Sequence, residues 1–166
     1  MKRLSSIPGG RFFVCLSYVI MLAFVTACSV TPQISSYDEG TDQGLAVIQK
    51  KTDIFIASLK RNFGTDAASL KSSKRFYDDI DQELLRLETR VKGAPENVKT
   101  ENLVHNIRLA ILGDGTDADV TSMKYLHSLP ENVKKGIPLM TLEINQKNIN
   151  QVISAAKSLE VEKARR

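Results

Sequence analysis

The sequence predicts an all-α protein, an antiparallel bundle of about four helices, and three observations predict it. Beyond position 40, apolar residues recur at spacings of three and four, the period of a helix that buries one face. No stretch of five or more residues alternates apolar and polar in the manner of a half-buried strand. Gly64, Gly93, Pro95, Gly113, Gly115, Pro130, Gly136 and Pro138 fall between the periodic segments and mark connections. A helix with a single apolar stripe must bury it against other helices, and short connections make neighbours antiparallel.

The first helix is predicted from a cap at Thr41 or Asp42 to about Phe63. Leu45, Ile48, Thr52, Phe55 and Leu59 lie on one face of it, and Gly64 supplies the left-handed stop. The second starts at Thr65 or Asp66 and ends near Gly93. Its apolar positions Leu70, Tyr77, Ile80, Leu84, Leu87 and Val91 form a heptad-like seam, with Lys74, Arg75, Asp78, Asp79, Asp81, Glu83, Arg86, Glu88 and Arg90 between them. The third opens at Pro95 or Thr100 and carries Leu103, Ile107, Ala110 and Ile111 on one side. Gly113 to Asp119 is a loop. A short helix over Val120 to Leu129 stops at Pro130, and a last helix runs from about Leu139 to Lys163. Leu142, Ile149, Val152, Ile153, Ala156 and Leu159 are its expected buried stripe. The alternative arrangement is a long helical hairpin that dimerises through the regular seam of the second helix.

The first 28 residues read as a targeting device. Lys2, Arg3 and Arg11 make a positive start with no acidic residue, Phe12 to Val25 is almost wholly apolar, and small residues precede Cys28. The apolar stretch Phe12 to Ala27 holds 16 residues, short of the roughly 20 that span a bilayer. Val25, Thr26, Ala27 and Cys28 resemble the lipobox of bacterial lipoproteins, the recognition sequence of signal peptidase II. The resemblance covers only the leader. It implies cleavage after Ala27, a diacylglyceryl group on the Cys28 sulfur and often an acyl chain such as palmitate on the new amine. It also implies a lipid anchor, since each buried methylene adds about 0.8 kcal/mol of membrane affinity. Ser29, in the place where Asp favours retention in the inner membrane, implies the outer membrane, with the domain in the periplasm.

The expected organisation is then a signal peptide over 1–27, a lipidated Cys and flexible tether over 28–40, and a helical bundle domain over 41–166. Cys15 leaves with the leader and Cys28 carries lipid, so the mature chain has no thiol for a disulfide or for catalysis. Three of the 23 basic residues and none of the 19 acidic ones lie in the leader, which leaves 20 against 19. That near-neutral balance removes the case for nucleic-acid binding.

Residues with catalytic or metal-binding chemistry are sparse. Asp114, Asp117 and Asp119 are weak calcium candidates, because oxygen ligands in a Gly-containing loop suit a hard cation; the order of an EF-hand is absent, and Tyr125 stands where its bidentate Glu belongs. His105 and His127 are the only histidines and have no Cys or His at zinc-ligand spacing. His105 is expected to be partly buried and hydrogen-bonded. Tyr77, Asp78, Asp79 and Asp81 gather carboxylates on what reads as a solvated face. Ser154 and Lys157 spell Ser-x-x-Lys without the companion motifs of acyltransferases. Phe55, Phe63, Phe76 and Tyr77 are positioned to cluster where the first two helices meet, as core or as a groove.

The resulting expectation is a membrane-anchored envelope lipoprotein, not an enzyme and with no cofactor, serving as a binding, adaptor or scaffolding module. Its partners would be the membrane, through the lipid, and a protein of the envelope. The alternatives are a metal-dependent enzyme or sensor using the Asp114–Asp119 loop and a self-associating structural helical protein.

Overall fold

The computed structural model describes residues 35–116 and 120–166. Among the described residues the elements are α1 (Glu39–Asn62), a 3-10 turn (Asp66–Ala68), α2 (Leu70–Gly93), α3 (Val98–Leu112), α4 (Met123–Ser128) and α5 (Leu139–Ala164), with no strand. The four long helices close into a ring: α1 and α3 each pack against both α2 and α5. Every adjacent pair is antiparallel. The start of α1 meets the end of α2 through Asp38 and Arg90, and the start of α3 meets the end of α5 through Thr100 and Glu160. The predicted antiparallel bundle is the fold, with α4 as a short fifth helix beside α2 and α3.

The core is aliphatic. Leu45, Ile48, Ile56, Ile80, Leu84, Ile107, Ile111, Leu142, Ile149 and Ile153 are all fully enclosed. Each such side chain contributes roughly 1.5–3 kcal/mol through its removal from water. On α2 the buried set is Ser73, Tyr77, Ile80, Leu84, Leu87 and Val91, an unbroken heptad rhythm in which Ser73 fills the gap before Tyr77 and Leu70 is half-buried. On α1 the enclosed residue is Ile56, while Phe55 is half-buried beside it. On α3, Thr100 and Val104 face inward, and Leu103 and Ala110 lie at the edge. On α5, Val152 and Leu159 are partly exposed, and the inward stripe includes Asn145, Glu160 and Lys163.

Four helix starts differ from expectation: α3 begins at Val98, between Pro95 and Thr100 and without a side-chain cap bond, and the other three differ for a capping reason. α1 begins at Glu39, not after Thr41 or Asp42. The Asp38 carboxylate accepts from the Gly40 N–H at 3.3 Å and from the Thr41 hydroxyl at 2.6 Å, which satisfies the first free end of the helix earlier. α2 begins at Leu70, because Ser69 in extended geometry caps the Ser72 N–H and leaves Asp66–Ala68 as a separate turn. α4 begins at Met123, capped by Ser122 on the Tyr125 N–H. Within residues 35–38, expected in the tether, Ser35 and Asp38 are tied to the bundle: Ser35 is buried and donates to Asn97 Oδ1 at 2.7 Å, and Asp38 is bonded to Arg90.

The connection from Leu129 to Pro138 closes the end of the bundle where α2 starts. Its Val133 carbonyl accepts from the Leu70 N–H at 2.9 Å, and its Lys135 carbonyl accepts from the Gly64 N–H at 2.8 Å. Ile137 anchors it in the core. Gly136 has φ 90 and lies against Ala68 so closely that an added Cβ would stand 2.9 Å from the Ala68 Cβ. Only glycine meets both demands without strain. Among the described residues no helix is long and apolar enough to cross a membrane.

Candidate functional site

At that same end lies an open depression of about 1020 Å³. Its floor comes from Leu70, Val133 and the Tyr77 ring, and its rim carries Lys71, Lys74, Lys124 and Lys134. The lysines come from three segments brought together by the fold. Lys71 and Lys74 lie at the start of α2, Lys124 at the start of α4, and Lys134 on the closing connection whose backbone is bonded to Leu70. Lys74 pairs with Asp78 at 2.5 Å. Among the described residues Lys71, Lys124 and Lys134 form no ion pair. Asp66 and Asp78 are the acidic residues of the lining, so the rim is net positive.

Beneath the floor Tyr77 and His127 are locked together. His127 Nε2 lies 2.8 Å from the Ala68 carbonyl, which can only accept, so Nε2 carries the proton. Nδ1 is therefore bare and accepts from the Tyr77 hydroxyl at 3.0 Å. Burial pushes the Tyr77 phenol far above its ordinary range and pulls the His127 imidazole down. Both groups are neutral, and both ring nitrogens are engaged. The pair ties α2, α4 and the 3-10 turn together and leaves no free base.

The opposite end of the bundle holds a buried ionic cluster. Lys163 and Glu160 have side chains 2% and 0% exposed, and their charged atoms meet at 2.6 Å. Lys163 also donates to Asn97 Oδ1 and Thr100 Oγ1, both at 2.7 Å, so its three protons are matched. Glu160 further accepts from the Thr100 hydroxyl at 3.0 Å and from the Asp38 N–H at 3.4 Å. Arg90 clamps the Asp38 carboxylate with two bonds of 2.6 Å and holds it well below the usual carboxylate range. The cluster joins the incoming chain to α2, α3 and α5. Every charge in it has a partner, which is the condition for a buried ion pair to be tolerated.

The residues singled out from sequence are dispersed. Val25, Thr26, Ala27 and Cys28 lie outside the described residues, as do Asp117 and Asp119. Asp114 accepts from the Thr116 N–H at 2.8 Å and its hydroxyl at 2.7 Å, bonds that hold its carboxyl below the ordinary range. Among the described residues no group of three or more His, Cys, Asp or Glu is placed to hold a metal. His105 is exposed, not partly buried, with Nδ1 3.6 Å from Glu88 Oε1. The position lies off the Val104–Ile107–Ile111 stripe; the enclosed, doubly bonded histidine is His127. Asp78, Asp79 and Asp81 each face a different cation, Lys74, Arg75 and Arg108. Ser154 is exposed, and Lys157 reaches across to Gln49 Oε1 at 3.3 Å.

Phe55, Phe76 and Tyr77 do cluster, with Phe55 stacked on Phe76 at 3.7 Å and both rings edge-on to Tyr77. Phe63 is exposed and apart from them. The cluster is a packed seam between α1 and α2, not a groove.

Sequence reasoning missed the lysine rim, because its members are far apart in the chain. It also missed Glu160 and Lys163, although their signal was present: both continue the inward spacing of Ile149, Ile153 and Ala156. No protein-family model, curated protein or solved structure matches this chain.

Proposed function

We propose that this chain is a lipid-anchored envelope lipoprotein whose helical body is a non-catalytic binding module, and that the lysine-rimmed depression is its binding site. The anchor reading rests on Val25-Thr26-Ala27-Cys28 behind an apolar, positively led stretch. Ser29 favours the outer membrane, with the body in the periplasm. The binding reading rests on one observation: unpaired charges from three separate segments surround apolar surface at one place, while the Tyr77–His127 and Glu160–Lys163 pairs are satisfied internally.

The anchor is tested by expressing the full chain in a bacterium with an outer membrane and measuring intact mass after membrane fractionation. The expected species begins at residue 28 and carries acyl chains, and Cys28→Ala releases it or leaves the leader attached. An unmodified residue 28 on a chain that stays in the membrane regardless of Cys28→Ala would refute the anchor.

A further inference from the structure

We infer that the depression receives an acidic segment of a partner protein, its carboxylates meeting the three unpaired lysines Lys71, Lys124 and Lys134 and one apolar side chain entering over Leu70, Tyr77 and Val133. The inference rests on the binding-module reading above.

Four features select this occupant. The cations are ammonium groups on flexible stems, spread around an opening of about 1020 Å³. The rim offers no rigid guanidinium fork to grip a single phosphate or carboxylate. The start of α2 is not a vacant anion site either, since Ser69 Oγ already accepts from the Ser72 N–H at 3.2 Å. Attraction must come from the side chains, and only a multivalent ligand satisfies several of them at once.

The lining also carries Asp66 and Asp78. These repel a uniform polyanion such as a nucleic-acid backbone, and the mature chain is close to neutral overall. A peptide answers both signs, with carboxylates for the lysines and backbone N–H groups for the two aspartates. The floor is apolar and can seat a side chain of Leu or Phe size. The occupant is therefore extended, acidic and punctuated by an apolar residue, recognised by charge at the rim and by burial at the centre.

The test uses the full chain in non-ionic detergent. The probe is a short fluorescent peptide rich in Asp and Glu with one central Leu, followed by anisotropy. Saturable binding that weakens as salt is raised is expected. Reversing Lys71, Lys124 and Lys134 together to Glu should weaken it at least about tenfold, because attraction is lost and repulsion added. The pair Lys50→Glu and Lys99→Glu, on exposed positions outside the depression, should leave it unchanged. All these lysines are exposed, so matching melting curves confirm that the variants fold.

Undiminished binding by the triple variant would overturn the site. Equal binding of the same peptide with its Leu replaced by Ser would overturn the apolar seat. Lysine-dependent binding of inorganic phosphate or phosphatidylglycerol vesicles, without the peptide, would overturn the occupant while sparing the module. No binding of any of these probes would remove the binding-module reading itself.

Discussion

His127 has both ring nitrogens engaged, one on the Ala68 carbonyl and one on the Tyr77 hydroxyl, and is closed off from water. Burial lowers its pKa, and the Ala68 bond opposes that shift without reversing it. The sign of the linkage follows. In the unfolded chain the ring takes up a proton near 6.5, whereas the folded chain resists protonation until the pH is lower. The stability held by the neutral ring is complete above that value and is lost as pH falls below it. The melting temperature should therefore drop from about pH 7 to pH 5, the range of histidine titration. His127→Gln should melt lower at neutral pH but show a flatter profile over that range, and an unaltered slope would sink the assignment. Asp38 acts in a separate window: its carboxyl is held low chiefly by Arg90, so its contribution fades only below about 3.8. At the other buried charge, Lys163→Met should cost about 3–5 kcal/mol, because it leaves Glu160 enclosed without its cation. Adding Glu160→Gln should recover a large part of that loss in a denaturant titration. Additive losses would mean that the two charges do not depend on each other.

At the scale of the element, the legible features were those that an apolar alphabet can spell. The α2 seam stands out because Tyr77, Ile80, Leu84, Leu87 and Val91 are large and regularly spaced. Ser73 and Thr100 are as deeply buried and were not placed in the core, because small polar side chains carry no hydrophobic signal and are chosen by their neighbours; Thr52, buried too, was legible only through the apolar residues that share its face. Helix starts moved for a similar reason. Thr41, Asp42, Thr65 and Asp66 are all competent caps, and the winner at each start is the residue whose backbone is extended and whose oxygen reaches a free N–H. The closing connection makes its own prediction. Gly136→Ala must adopt a positive φ and push against Ala68, so it should destabilise the protein by about 1–3 kcal/mol. It should also loosen the segment that carries Val133 and Lys134. The denaturation midpoint measures the first effect, and a wild-type midpoint would show that the turn relaxes freely.

For the whole molecule, the closed ring of α1, α2, α3 and α5 decides between the two arrangements that the periodicity allowed. The α2 seam faces the interior of a single chain, with Ile80 and Leu84 fully enclosed. It is not available to a second copy. Sedimentation of the full chain in density-matched detergent should give the mass of one copy and its bound detergent; a dimer that persists on dilution would require another interface. The body also has no cysteine among the described residues, so its melting should be the same with and without reductant.

The all-α class, the number of long helices and the approximate breaks between them follow from the chain alone. Each depends on residues adjacent in sequence or one helical turn apart, where spacing and chemistry are already coupled. The lysine rim, the Tyr77–His127 lock and the enclosed Glu160–Lys163 pair belong to tertiary structure. Their members and partners lie up to 122 positions apart, as with Asp38 and Glu160. No local pattern encodes which distant group will arrive to complete a charge or a hydrogen bond; only the closing of the bundle brings them within reach.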